Sequence, residues 1–488
     1  MEKNYDVIIV GSGAAGLYAA LNLDSRLKVL LLCKREIILS NSALAQGGIA
    51  AVFDKEHDTI EEHLHDTLVA GGFQNDPEST RLLVEQGPKD VQTLIDYDVD
   101  FDKDEKGKPH LTLEGGHTKA RILHYKDCTG REIVEKLIYA VRQLKNVDIM
   151  ERSIVCDLKK NGETFSIDVL KDDEHVYCNS RYCLLATGGI GRVYEYTTNS
   201  AIATGDGIAL AYNLGAEIKN LNLVQFHPTA FANKHTRESF LISEAVRGEG
   251  AYLLNCNYER FMDRYDARLE LAPRDVVSKS IIEEAKRTGH NEFYLDISYK
   301  DSQFVKNRFP MIYSNLLKEG YDLTKDKIPV FPCQHYLMGG IDVDTNGATT
   351  VKGLYAAGEC SHTGVHGNNR LARNSLLEAV VFSRLAATDI NEKSKTSTDK
   401  LTPFVFEKTN HIETVPTGIR TEIRAIMQKA HFVVPDPTET VNGFERVCEL
   451  KKMLENSSYK VNRDYVEAKS LVTVAYLILK QSIQHGNK

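Results

Sequence analysis

The sequence predicts an α/β fold built on a parallel sheet, with a second domain inserted into it and a helical domain towards its C-terminal end. Three observations lead there. Tyr5-Asp6-Val7-Ile8-Ile9-Val10 is a short, β-rich apolar run that passes at once into Gly11-Ser12-Gly13-Ala14-Ala15-Gly16 and a helical stretch over 17–23. Two later apolar runs also end on glycine: residues 182–187 before Gly188-Gly189, and residues 354–357 before Gly358-Glu359. Beyond about residue 391 the chain turns polar, then reads as amphipathic helices over 418–432 and 440–484.

Taken in order, the first unit needs glycine at three places. Gly11 makes the turn, Gly13 lets the backbone approach a pyrophosphate, and Gly16 allows close helix–strand packing, with Ala14 and Ala15 opening the helix between them. The next strand, 29–32, would ordinarily end on an acid for ribose hydroxyls, but here it runs into Cys33-Lys34-Arg35. Two readings follow from that: a 2′-phosphate held by the basic residues, or an adenosine merely flanked by them. The two later strands favour a flavin. Three glycine-terminated strands in this order resemble the glutathione-reductase-type FAD-binding (Rossmann-like) domain. The full expectation is that domain, an inserted α+β capping domain and a C-terminal helical domain.

Bulk properties exclude several classes. A length of 488 residues predicts two or three domains with large cores. The net charge of −8, with acids and bases interspersed, argues against nucleic acid as a partner. The nine cysteines form no C-x-x-C pair and no iron–sulfur spacing, so they read as reduced thiols. The apolar N-terminal run carries glycines and Asp6 and lacks a basic flank, unlike a leader. No apolar run approaches the roughly 20 residues of a membrane span, so the expectation is a cytoplasmic protein without a membrane partner.

The remaining stretches divide accordingly. Residues 40–51 are small and polar, 57–99 have helical spacing, and 147–186 are strand-rich. Residues 222–337 separate the second flavin strand from the third and are expected to lie over the cofactor. The resulting domains are 1–221 and 338–395 for the FAD-binding part, 222–337 for the cap and 400–488 for the helices, with the polar run from 391 as linker. Within 353–378 a buried strand gives way to a loop carrying Arg370 and Arg373, then to Ser375-Leu376-Leu377-Glu378, which has the form of a capping box. A helix start aims N–H groups and a positive dipole end at what precedes it, and with arginines beside it the segment is suited to negative charge.

A series of motifs occurs in order: Gln46-Gly47-Gly48-Ile49-Ala50, Glu114-Gly115-Gly116-His117, Asp127-Cys128-Thr129-Gly130-Arg131, Gln225-Phe226-His227-Pro228-Thr229, Glu244-Ala245-Val246-Arg247-Gly248, Leu271-Ala272-Pro273-Arg274-Asp275 and His366-Gly367-Asn368-Asn369-Arg370. Over residues 5–390 the chain resembles the succinate dehydrogenase/fumarate reductase flavoprotein superfamily, and within it the L-aspartate oxidase family. The resemblance implies FAD-dependent oxidation of L-aspartate to iminoaspartate. Dioxygen (giving hydrogen peroxide) or fumarate (giving succinate) would take the electrons. It also implies a place at the first step of de novo NAD biosynthesis, upstream of quinolinate synthase. A fumarate reductase or succinate dehydrogenase flavoprotein, or an FAD-binding protein without turnover, stays open as an alternative. Respiratory relatives attach FAD through a histidine five residues before the Gln-Gly-Gly loop. Asn41 stands there in this chain, which implies non-covalent FAD.

The same resemblance assigns roles residue by residue. Arg370, His227, His335 and Ser243 would hold the substrate carboxylates, with Glu244 beside them or as an ordinary first-turn acid. Glu114 would face the substrate amine. Arg274 would be a charge clamp, and the proton donor when fumarate is the acceptor, because an arginine is a poor base. FAD would be held by Gly11, Gly13, Ala14, Ala15, Gly16, Lys34, Ser40, Ser42, Ala45, Gln46, Gly47, Gly48, Ala186, Thr187, Gly188, Asp206, Glu359, Ser375 and Leu376; no metal is expected. Two places depart from the family. Arg373 replaces a serine that helps hold substrate, so it would strengthen dicarboxylate binding, turn out of the site, or reduce activity. The chain also ends on residues 482–488 without the basic tail of the family.

Overall fold

The computed structural model describes residues 2–232, 236–396, 400–407, 411–456 and 458–486. At its centre is a parallel five-stranded sheet in the order Leu354–Ala356, Tyr182–Leu185, Val7–Val10, Val29–Leu32 and Val147–Met150. The three strands that end on glycine are therefore neighbours, and their carboxyl ends open on one edge, where open α/β sheets bind ligands. Every residue of the first strand is buried, because both faces of the sheet are covered. Val7 and Ile9 point into one core, Ile8 and Val10 into another.

The first core is closed by helices Ala14–Asn22 and Asn374–Ser394. The second is closed partly by the C-terminal helices Ile419–Ala430, Pro437–Asn456 and Arg463–Gly486: Leu471, Val474 and Ile478 share one apolar cluster with Ile8 and Val10. The C-terminal helices thus pack on the dinucleotide sheet through a continuous core. A second sheet, in the order Glu2–Asn4, Glu174–Ser180, Thr164–Lys171 and Ser153–Asn161, lies beside it.

The inserted segment has a core of its own, with Val246, Phe261, Val277, Ile281 and Phe309. It forms an antiparallel sheet, Val224–Phe231, Ile328–Leu337, Phe293–Asp296 and Tyr252–Leu254, against helix Arg274–Thr288. Its first and last strands pair with each other, Val224 opposite Leu337, so the chain enters and leaves the insertion through one ladder.

Four local readings change. The helical stretch 57–99 is two helices, Ile60–Ala70 and Pro77–Asp96, each started by a side-chain cap from Thr59 and Asp76 and parted at Gly71-Gly72. The 440–484 stretch is likewise broken between Asn456 and Arg463. The polar run from 391 is not all linker: helix Asn374–Ser394 continues through its first part, and 397–399 lie outside the described residues, as do 487–488 of the tail. The capping box is not formed. The helix starts at Asn374 behind Arg373, which has φ 70° and offers no side-chain cap. Glu378 turns inward instead, accepting from Tyr336 Oη at 2.8 Å and Thr363 Oγ1 at 2.5 Å and meeting His366 Nε2 at 2.9 Å. Three buried polar partners outcompete a single cap at a helix start. Among the described residues, no helix is long and apolar enough to cross a membrane.

Candidate active site

Gly11 has φ 115°, and a Cβ there would fall 2.1 Å from the Ala186 carbonyl oxygen, so the turn admits only glycine. Gly13 precedes helix Ala14–Asn22 and offers no cap of its own; the Ala14 N–H donates to Ser42 Oγ at 3.1 Å, and the helix start lies at the groove. A cavity of about 110 Å³ there is lined by Gly11, Gly13, Ala15, Lys34, Ser40, Ser42, Ala186, Thr187, Gly188, Asp206 and Glu359. It shares Asn41, Ser42, Glu359 and Ala379 with a second cavity of about 520 Å³. The second is lined by Ala45, Gln46, Gly48, His335, Arg370, Arg373, Ser375 and Leu376. A long groove with a glycine-led helix start at one end fits an extended dinucleotide such as FAD. Gln46 donates through Nε2 to the Leu241 carbonyl at 2.7 Å, while its buried Oε1 has no protein partner. That orphaned acceptor fits a donor group on the cofactor.

Lys34 does not offer a free cation to a 2′-phosphate. Its Nζ lies 2.8 Å from Asp206, 3.1 Å from Glu467 and 2.6 Å from Thr204 Oγ1, so its charge is matched within the fold. Glu359 accepts from the Leu337 N–H at 3.1 Å, and burial pushes its carboxyl up to about 7. Asn41 accepts from the Ser200 N–H at 2.9 Å and lines both cavities.

At the inner end of the groove the cap and the FAD-binding part meet in a buried charge network. Gln225 Oε1 accepts from Arg370 Nη2 at 3.0 Å and Arg274 Nη1 at 3.1 Å, and its Nε2 donates to Asn369 Oδ1 and the Arg370 carbonyl. Arg370 also donates to Ser375 Oγ at 3.0 Å and rests 4.4 Å above the Tyr336 ring, while its Nε has no partner. Burial, with Arg274 nearby, pulls Arg370 down to about 9. Arg274 donates through Nε to Glu244 at 2.5 Å. Burial works against ionisation of Glu244, but Arg274 and Arg247 outweigh it and hold the carboxyl at about 2. Glu244 is therefore an anion bracing arginines, besides opening helix Glu244–Gly248.

The two histidines stack edge-on, ring centres 5.1 Å apart. Burial, then Arg274, keeps both well below the usual histidine range, so both are neutral. The Thr229 N–H donates to His227 Nδ1 at 3.2 Å, which places the proton on Nε2, a buried donor with no partner. His335 Nδ1 meets Thr198 Oγ1 at 2.7 Å. An unpaired Nε2–H beside two arginines is arranged for a carboxylate.

Arg373 turns into the site. It donates through Nε to Glu114 Oε2 at 2.6 Å and through Nη2 to Ser243 Oγ at 3.1 Å. Glu114 is buried, and its other oxygen, Oε1, has no partner. The fold thus brings Arg274, Glu114, Glu244, Ser243, His227, His335, Arg370 and Arg373 into one network across the cap boundary. Sequence reasoning missed Gln225, the shared acceptor, although it stands within the Gln-Phe-His-Pro-Thr motif. It also missed Tyr336, beside His335. Thr198 carries no local signal at all.

The chain matches the FAD binding domain family over residues 6–376. It is 48% identical over 394 residues to the L-aspartate oxidase of Clostridium perfringens, covering 80% of this chain and 88% of that one. It is 38% identical over 511 residues to the L-aspartate oxidase of Acinetobacter baylyi, covering 99% and 91%. Among solved structures, quinol fumarate reductase from E. coli superimposes with a TM-score of 0.91 at 27% identity, covering 99% of this chain and 89% of that one. A groove that fits FAD, a buried arginine-rich site at its inner end and relatives of nearly full length agree: the chain belongs to the L-aspartate oxidase family of FAD-binding flavoproteins.

Proposed function

We propose that this protein oxidises L-aspartate to iminoaspartate on non-covalently held FAD, with dioxygen or fumarate as electron acceptor. The observation that carries this reading is that two buried arginines, Arg274 and Arg370, both held by Gln225, share a site with a buried carboxylate, Glu114, that pairs with Arg373 and keeps one oxygen unpaired. Two cations suit the two carboxylates of a C4 acid, and the open Glu114 Oε1 suits its amine.

In this reading Arg370, His227 Nε2, His335 and Ser243 hold the carboxylates, and Glu114 accepts an N–H of the amine. The amine must be neutral before its lone pair can drive hydride loss from Cα. FAD supplies the hydride acceptor and passes the electrons on. Arg274, pinned by Glu244 and Gln225, holds charge and is the proton source when fumarate is reduced. Burial of the network excludes water and strengthens each of these interactions. Gly13 and the start of helix Ala14–Asn22 would hold the pyrophosphate, and Ser375 and Leu376 the flavin's pyrimidine edge. Iminoaspartate is short-lived in water, which fits a cytoplasmic place at the opening of NAD biosynthesis with quinolinate synthase next.

A fumarate reductase reading is favoured by the likeness to E. coli quinol fumarate reductase. Anaerobic mixing of the FAD-loaded protein with each acid separates the two. L-aspartate is expected to bleach the flavin. Bleaching by succinate and not by aspartate would overturn the proposal.

A further inference from the structure

We infer that His117 is a positioning residue whose ring, locked by Arg121, sets the spacing between the amine-binding Glu114 and the carboxylate-binding Arg370. The inference rests on the function proposed above and concerns how that site recognises an amino dicarboxylate.

Glu114 and His117 are the two ends of one turn. The His117 N–H donates to the Glu114 carbonyl at 3.1 Å, and Gly116 between them takes a left-handed φ of 84°. The ring then crosses from this turn to the segment that carries Arg370, where its Nε2 lies 2.8 Å from the Ala372 carbonyl. That carbonyl can only accept, so the bond requires a proton on Nε2.

Arg121 ensures it. The guanidinium is fully buried between two acids: Nε and Nη2 each donate to Asp58 at 2.8 Å, and Nη1 donates to Asp66 at 2.5 Å. Nη1 also meets His117 Nδ1 at 3.1 Å. Burial pulls His117 down to about 4, so the ring is neutral and carries one proton. A guanidinium has no acceptor, so Nδ1 accepts and the proton stays on Nε2. Asp66 takes the Thr118 N–H as well, at 2.8 Å, which fixes the chain just past the turn.

The two ends of the site are not equally secured. Arg370 is held by Gln225, Ser375 and the Tyr336 ring, none of which involves His117. The turn of Glu114 is joined to the same segment's main chain through His117. Arg373 reaches Glu114 too, but a long side chain adjusts its rotamers to the carboxylate, whereas a ring between two fixed ends does not. The tie to Ala372 is made to main chain and holds whichever residue stands at 373. Aspartate needs both ends at one separation, and fumarate needs only the carboxylate end. Loosening the turn therefore costs aspartate more than fumarate.

The test compares His117→Gln, whose amide reaches the place of Nε2, with His117→Asn, whose amide stops short of it. Fumarate cannot react with oxidised flavin, so its Kd is read by titration into the oxidised holoenzyme, following the flavin difference spectrum. The aspartate Kd is read from the concentration dependence of anaerobic flavin bleaching in stopped flow. His117→Asn is expected to raise the aspartate Kd at least about tenfold and the fumarate Kd no more than about threefold. His117→Gln is expected to keep both within about threefold of wild type. Equal weakening of both ligands by His117→Asn would make His117 a general scaffold and overturn the proposal. So would wild-type binding of both by His117→Asn, or a His117→Gln as weak for aspartate as His117→Asn. Arg121→Lys keeps a cation between Asp58 and Asp66 without the fork that fixes Nδ1, and is expected to raise the aspartate Kd relative to fumarate. An unchanged ratio there would also overturn the proposal, and decides the matter if His117→Asn fails to load FAD. Failure of the proposed activity would appear separately, as a wild-type flavin that aspartate does not bleach.

Discussion

Arg370 and Gln225, 145 residues apart in sequence, meet at 3.0 Å through Nη2 and Oε1, and the same oxygen receives Arg274 at 3.1 Å. One neutral amide oxygen thus spaces two buried guanidiniums, one from the FAD-binding part and one from the cap.

Gln225→Met keeps the volume and removes that acceptor. Two buried cations lose a partner, which costs about 2 kcal/mol of stability. A dicarboxylate supplies replacement acceptors. The expected result is a lowered Tm that saturating succinate restores more strongly than it raises wild type, read by thermal unfolding with and without ligand.

Tyr336 contributes a ring beneath Arg370 at 4.4 Å and a hydroxyl to Glu378 at 2.8 Å. Glu378 keeps His366 and Thr363 without it. Tyr336→Phe should therefore leave KM for aspartate within about threefold. Tyr336→Leu removes a desolvated cation–π contact of about 2 kcal/mol and should raise KM more than about tenfold. Steady-state kinetics on the two variants checks the order.

Glu359 has its carboxyl raised by burial to about 7 from an ordinary 4.5. Below the ordinary value both folded and unfolded chains are protonated. Between the two values the unfolded chain ionises while the folded one holds its proton, so this group's contribution falls as pH rises and levels off above the folded value. At about 1.4 kcal/mol per unit the loss is about 3 kcal/mol. Urea unfolding of the FAD-free protein should show Glu359→Gln gaining on wild type from pH 5 to 7.5, with no further gain above that.

Lys34, just beyond strand Val29–Leu32, ties it to helix Asp206–Asn213 through Asp206 and to the last helix through Glu467. Glu467 has a second partner in Arg420 at 2.6 Å, and Asp206 accepts from Thr204 at 2.7 Å. Lys34→Met removes the shared cation from two largely buried acids and should cost about 3 kcal/mol. Adding Glu467→Gln should recover part of that. Urea unfolding of the single and double variants measures both, and an additive result would mean the acids do not depend on Lys34.

The sheet was legible because its signals are local. Each apolar strand and the glycine that ends it lie within a few residues, so three such strands were readable, and the structure sets them side by side in one parallel sheet. Helix breaks were less legible. Apolar spacing runs across 57–99 and 440–484, and only the packing reveals where each helix turns. The Ser375–Glu378 spacing has the form of a capping box, yet Glu378 finds Tyr336, Thr363 and His366 in the folded protein.

The sequence by itself determined which chemistries are present: the glycines of the FAD groove, Asn41 where a histidine would attach the flavin, and the acids, arginines and histidines of the site. The tertiary structure alone decided who pairs with whom. Arg373 was open in the sequence to three fates, and it meets Glu114 across 259 residues because Gly47 leaves room and burial forces each charge to find a partner. Local pattern cannot encode that choice, since the cost of an unpaired charge arises only once distant segments have closed over it.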